Sequence, residues 1–259
     1  MQSLKRIIPN TLTALNFITG CFATYFAFKG FFEIVFFLVL LGTFFDLFDG
    51  LFSRLLKVES NFGIQFDSMA DLITCGMVPG IVMYNLLART DVHGRNFIFK
   101  LFENEFNVSF VPLGFAGFFI TLATSIRLAK FNIDKDSKTE FKGLPAPVNA
   151  LFIVSLPLLI ENPLLMDFRY SIESQTTFLA ITLVSCILMN NNIPFFSLKS
   201  TTFKTERLKI LVLLILSIPL FYIFYFSSFP IIILIYILLN LLVTVGRKLG
   251  LSLKLKHNN

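Results

Sequence analysis

The chain has 259 residues, 55% of them hydrophobic and 15% charged, with a formal net charge of +6. A soluble domain of this length has no need of repeated apolar runs of about 20 residues, the length that spans roughly 30 Å of hydrocarbon. A mean hydropathy of +0.77 and eight such runs exclude that class.

The runs cover about 11–28, 31–52, 64–88, 108–127, 146–160, 176–190, 208–226 and 229–246. The expected fold is an all-α polytopic membrane protein of about eight transmembrane helices, because a helix satisfies its own backbone polar groups in lipid. The positive charge does not point to nucleic acid, because it is sorted. With loops alternating across eight spans and both termini on one side, all but Lys29, Arg89, Arg95, Lys100 and Arg169 of the 22 Lys and Arg fall on that side. The positive-inside rule then sets both termini, and the connection at 50–66, in the cytoplasm. The expected location is the inner (cytoplasmic) membrane, with the lipid bilayer as a partner and no nucleic acid.

In chain order, the first feature is "KRIIPNTLT", with Pro9 and Asn10 where a helix should begin. Two basic residues before an apolar stretch mimic a signal peptide, but no small-residue cleavage pattern follows, so the first helix is expected to be retained. Pro9, Asn10 and Thr13 have a plain reading as a capped helix start.

The second run ends in carboxylates. Asp46 and Asp49 are three apart and share one helix face, and Asp67 and Asp71, four apart, do the same on the next helix. Gly50 and Gly63 in the connection permit a tight turn or close approach of a ligand. A carboxylate in the membrane region costs about 2.5–3.5 kcal/mol on insertion scales, so four together require partners. Arg54 is expected to pair with one, and cations with the rest. Hard oxygen ligands in this number suit Mg²⁺, Mn²⁺ or Ca²⁺ rather than zinc. Carboxylate-held ions commonly clamp a phosphoryl centre, and a carboxylate left partly free can serve as general base on an attacking hydroxyl. His93 and His257, the only histidines, read as surface residues. Cys21, Cys75 and Cys186 lie in apolar runs without paired spacing and read as small core residues.

Beyond the aspartates, 89–107 reads as a non-cytoplasmic excursion and 128–145 as a basic cytoplasmic loop ending in a Gly-Pro-Pro turn. Arg127, Lys130 and Asn132 close the fourth helix. The fifth and sixth runs are short. The last two carry few polar residues and read as packing or lipid-facing helices, and the basic tail sits near anionic headgroups.

The stretch 46–71 resembles the signature of the CDP-alcohol phosphatidyltransferase family, D-x2-D-G-x2-A-R-x8-G-x3-D-x3-D. Asp46, Asp49, Gly50, Arg54, Gly63, Asp67 and Asp71 keep every spacing, and Ser53 replaces the alanine. Within that family, "IPNTLTALNFITG" at 8–20, "RLAKFN" at 127–132, "FKGLPAP" at 141–147 and "LMNNNIPFFSLK" at 188–199 resemble the bacterial and archaeal phosphatidylserine synthases. The resemblance covers the chain to about residue 200, giving a core over 1–200 and two further helices with a short tail over 201–259.

What the resemblance implies is a reaction between CDP-diacylglycerol and L-serine that yields phosphatidylserine and CMP. It implies two divalent ions, Mg²⁺ or Mn²⁺, held by Asp46, Asp49, Asp67 and Asp71, with Asp71 also the general base. By position, Asp49, Gly50, Arg54, Ser60 and Gly63 line the CDP-diacylglycerol pocket, joined by Pro9, Asn10 and Thr13. Arg127, Lys130 and Asn132 are expected to hold the serine carboxylate, against a plain reading as positive-inside charge. The family also implies a homodimer. The 46–71 motif alone leaves the acceptor open to glycerol phosphate, inositol phosphate or choline. A cation transporter is the other class, but its acids belong near the bilayer midplane on broken helices, whereas these sit at one end.

Overall fold

The computed structural model describes residues 2–90, 95–101, 104–133, 143–191, 193 and 204–242. His93, His257, the middle of the 128–145 loop, most of 192–199 and the basic tail lie outside the described residues.

Helices account for nearly all of the described chain, as the apolar runs require. They are α1 (Gln2–Lys29), α2 (Phe32–Leu56), α3 (Asn61–Asp71), α4 (Val78–Thr90), α5 (Phe118–Ile133), α6 (Ala146–Ile160), α7 (Met166–Ile172), α8 (Gln175–Asn190) and α9 (Lys204–Phe224), with helix again over 229–242, here α10. Each of the eight runs overlaps a helical segment. Five segments are long and apolar enough to cross a membrane: Arg6–Lys29, Phe32–Leu56, Asn61–Thr90, Pro112–Ile133 and Leu211–Leu242. Ala146–Ile160 and Gln175–Asn190 are shorter. The last long segment is interrupted by a tight turn at Tyr225–Ser228, where Tyr225 takes φ 51°, and this divides it into the two runs seen in the sequence. Outward apolar side chains such as Ile218, 70% exposed, and Leu242, 69% exposed, fit contact with lipid.

An antiparallel hairpin of β1 (Arg95–Leu101) and β2 (Asn104–Phe110) adds to the helices, registering Arg95 opposite Phe110 and Leu101 opposite Asn104. It takes up the expected excursion. The fourth span therefore begins later than expected, with a 3₁₀ turn at Pro112–Gly117 leading into α5.

Three local decisions position the site. Pro9 lies inside α1, not at its start, because the helix extends back to Gln2. At the end of α2, Lys57 adopts a left-handed conformation with φ 53°. The Lys57 N–H donates to the Arg54 carbonyl and the Val58 N–H to the Ser53 carbonyl, the pattern that closes a helix and reverses the chain. Ser60 then caps α3, its hydroxyl accepting from the Gly63 N–H at 3.0 Å. Finally, α3 runs into α4 through a π-helical turn at Leu72–Met77. The Gly76 carbonyl in this turn accepts from the Thr121 hydroxyl of α5 at 2.9 Å.

The column Asn61–Thr90 is the centre of the bundle: 72% of its most apolar window is buried, against 22–33% for the other long segments. It packs among α1, α5, α6 and α8, with Ile81, Met83, Leu86, Ile120, Ile153 and Phe178 in the core. The helix α3 that carries Asp67 and Asp71 enters this column at its C-terminal end, where Ala70 and Asp71 are buried. Of the cysteines, Cys75 is buried and Cys186 half-buried, but Cys21 is exposed on the outer face of α1 rather than in the core.

Candidate active site

Asp46 and Asp49 project from α2 toward Asp67 on α3. One carboxylate oxygen from each lies within 4.8 Å of the other two. Asp46 and Asp67 are half-buried and Asp49 is buried. Asp71, one turn beyond Asp67 and buried, completes the acidic group within electrostatic reach of Asp46 and Asp49.

Four carboxylates so close repel one another, and burial strengthens that repulsion. The helix α1 supplies part of the compensation. Its residues Pro9, Thr13, Asn16 and Gly20 recur at helical spacing and share one face. The Thr13 hydroxyl donates to Asp49 Oδ2 at 2.5 Å, with the Pro9 carbonyl as a second acceptor at 3.1 Å. The Asn16 amide donates to Asp71 Oδ1 at 3.1 Å. Thr13 is therefore not a cap at a helix start but a side-chain partner of an aspartate on the next helix. Asp67 Oδ1 is buried without a hydrogen-bond partner. An orphaned buried carboxylate oxygen between two other carboxylates is what a cation site requires. The donor set is all hard oxygen, so these residues fit a divalent metal ion of the Mg²⁺ or Mn²⁺ type.

The expected pairing of Arg54 with an aspartate is not found: Arg54 is exposed, and no ion pair joins it to an acid among the described residues. It sits one turn past Gly50, and a Cβ built at Gly50 would meet nothing nearer than Arg54 Nη2 at 3.9 Å. Among the described residues packing gives no reason for glycine there, and the space beside Gly50 is open. On the other side of the acids, a Cβ at Gly63 would lie 3.2 Å from Ser60 Oγ and 3.7 Å from Asn10 Oδ1. Asn10, Ser60 and Gly63 are therefore neighbours.

The residues closing α5 divide. Arg127 is within electrostatic reach of Asp71, and its guanidinium donates to the Leu144 carbonyl. Gly143, at φ 77°, makes that turn, its N–H donating to the Ile193 carbonyl at 2.9 Å while the Leu144 N–H donates to the Leu188 carbonyl at 2.9 Å. Asn132 donates to Ser68 Oγ at 2.9 Å, tying the end of α5 to the helix that bears Asp67. Lys130 is exposed. Sequence reasoning did not single out Asn16, Thr74 or Ser68. The spacing of Asn16 three residues after Thr13 was the available signal.

The sequence from 6 to 189 matches the CDP-alcohol phosphatidyltransferase family model. The chain is similar to the CDP-diacylglycerol–serine O-phosphatidyltransferase of Helicobacter pylori, 29% identical over 216 residues, covering 82% of this chain and 81% of that protein. It resembles the enzymes of the same name from Methanocaldococcus jannaschii (29% identical; 76% of this chain, 91% of that one) and Bacillus subtilis (30%; 61% and 79%). A match over most of the chain, with the signature residues Asp46, Asp49 and Asp67 gathered at one point, places this protein in the CDP-alcohol phosphatidyltransferase family.

Proposed function

We propose that this protein transfers the phosphatidyl group of CDP-diacylglycerol to the hydroxyl of L-serine, giving phosphatidylserine and CMP. The observation that carries this reading is the convergence of Asp46, Asp49 and Asp67 on one point, with Asp71 beside them. The acceptor rests on relatives that bear the serine enzyme's name over 76–82% of this chain.

Asp46, Asp49, Asp67 and Asp71 would hold two divalent ions, Mg²⁺ or Mn²⁺. Bound ions of this kind neutralise phosphoryl oxygens and ease departure of the leaving group. The chain's own residues orient and exchange the proton. Asp71 takes the proton of the serine hydroxyl as its oxygen bonds to the phosphorus bearing diacylglycerol. The bond from that phosphorus to the CMP oxygen breaks, and CMP leaves with the electron pair. Arg54, exposed and without an ion pair among the described residues, beside the open space at Gly50, is suited to fork onto a phosphate. Asn10, Ser60 and Gly63 form the nucleotide side with Pro9 and Thr13. Arg127, Lys130 and Asn132 form the serine side, where Arg127 keeps donors beyond the one used on Leu144.

The surrounding organisation follows the charge pattern. Eight crossings put both termini and the aspartates on the cytoplasmic side of the inner membrane, where a water-soluble nucleotide is produced. The family match ends at Met189, supporting a catalytic core over 1–200 and a two-helix extension over 201–259. A homodimer is carried over from the family resemblance.

Expression in cells lacking their own phosphatidylserine synthase tests the reaction. The wild-type chain should restore phosphatidylserine to the lipid extract, and Asp67→Asn should not. Absence of phosphatidylserine with the wild-type protein present in the membrane would refute the assignment.

A further inference from the structure

Asn16 lies outside the signature, yet it is wholly buried at 0% exposure in the middle of an apolar helix. A primary amide in such a place needs partners at both ends. Its Nδ2 donates to Asp71 Oδ1 at 3.1 Å. Its Oδ1 accepts from the Thr74 hydroxyl at 2.9 Å. Thr74 is also 0% exposed, and its other acceptor in reach is the main-chain carbonyl of Asn16 itself, at 3.2 Å.

Chemistry fixes which way this amide points. A carboxylate only accepts, so a flipped amide would set oxygen against oxygen at Asp71. Glycines on the neighbouring turns let the pair pack closely. A Cβ at Gly42 of α2 would lie 2.9 Å from Asn16 Oδ1 and 2.8 Å from Thr74 Cγ2, and one at Gly20 would lie 2.5 Å from Thr74 Oγ1. Thr74 itself stands in the π-helical turn directly after Asp71. Turns of this kind recur at functional sites. The hydroxyl that locks the carboxylate's partner thus stands three residues after the carboxylate itself.

We propose that Asn16 and Thr74 are a positioning pair for Asp71. The amide holds one oxygen of Asp71 and thereby sets the rotation of its carboxyl group, leaving the second oxygen for the reacting centre. The inference rests on Asp71 acting in the reaction as proposed above. Both residues of the pair are fully buried and act through Asp71.

The test measures CMP release and Mn²⁺ binding on the full-length protein in detergent, the latter by electron paramagnetic resonance of free Mn²⁺. Thr74→Val, which keeps the shape and removes the hydroxyl, should lower kcat about tenfold with KM for CDP-diacylglycerol within about twofold of wild type. Thr74→Ser should restore kcat to within about threefold. Asn16→Leu should lower kcat by about a hundredfold and weaken Mn²⁺ binding about tenfold. Should Asn16→Leu fail to fold, the two Thr74 variants carry the test. Wild-type kcat in Thr74→Val, or loss without rescue in Thr74→Ser, overturns the pair while leaving Asp71 in place if Asp71→Asn is inactive. Full turnover by Asp71→Asn would instead remove the reading on which the pair depends.

Discussion

Thr13 and Asn16 show how neutral donors organise an acidic site. Each gives one hydrogen bond to one aspartate on a different helix, so α1 helps to orient Asp49 and Asp71. Asp71→Asn should lower turnover by about 10²–10⁴-fold, the usual range for a lost general base, with CDP-diacylglycerol binding retained; a direct lipid-binding assay beside CMP release checks both parts. Arg127→Ala should raise the KM for serine more than that for the lipid. It should also cost about 1–3 kcal/mol of stability, because the Leu144 carbonyl loses its partner. Steady-state kinetics with each substrate varied in turn separates the two effects, and the reverse order of KM changes would move Arg127 to the nucleotide side. At this scale much was legible. Four aspartates at helical spacing within a greasy sequence have few uses, and the structure gathers them. Asn16 and Thr74 were not, because a lone asparagine or threonine in an apolar run looks the same whether it bonds its own helix or a neighbour's aspartate. The Arg54 pairing failed for a related reason: sequence places Arg54 one turn from the acids, but not on the side they face.

Among the elements, the π-helical turn and the Gly143 turn do the aiming. Leu72–Met77 reads as ordinary helix, since apolar periodicity over six residues does not separate a π turn from an α turn. The hairpin at 95–110 carries no two-residue turn signal such as Asn-Gly, so its sequence shows only an excursion. The Gly-Pro-Pro turn, by contrast, was visible, and Gly143 sits in the conformation that favours glycine. A side chain there would also run into the Met189 carbonyl. Gly143→Ala should therefore destabilise by at least about 1–2 kcal/mol from the backbone alone. Its thermal midpoint in detergent should fall, and KM for serine should rise because Arg127 loses a fixed anchor at Leu144. An unchanged midpoint would contradict the strained turn.

Over the whole molecule, the apolar runs marked every long helical segment but not the short α7, and the bundle places the apolar part of the acid-bearing column at its centre. What the runs could not convey was which helix would be enclosed. Composition is similar along the chain, whereas enclosure depends on which faces meet. The C-terminal pair is docked on the core rather than loose. Phe36 of α2 packs against Phe229 with ring centroids 5.0 Å apart, and the Ser227 hydroxyl donates to the Leu158 carbonyl at 2.9 Å. Deleting 201–259 should leave the aspartate group able to bind Mn²⁺ but lower the thermal midpoint, because Phe36 and its neighbours lose their cover. Retention of full stability would argue against that docking.

The central claim is serine-directed phosphatidyl transfer at the four aspartates. Its most direct test is CMP release by the purified protein with CDP-diacylglycerol and Mn²⁺, offering L-serine, glycerol 3-phosphate and inositol phosphate separately, before and after chelation. The account predicts release with serine alone, silenced by EDTA and restored by Mn²⁺ or Mg²⁺. Release only with a phosphorylated acceptor, or release indifferent to chelation, would contradict it.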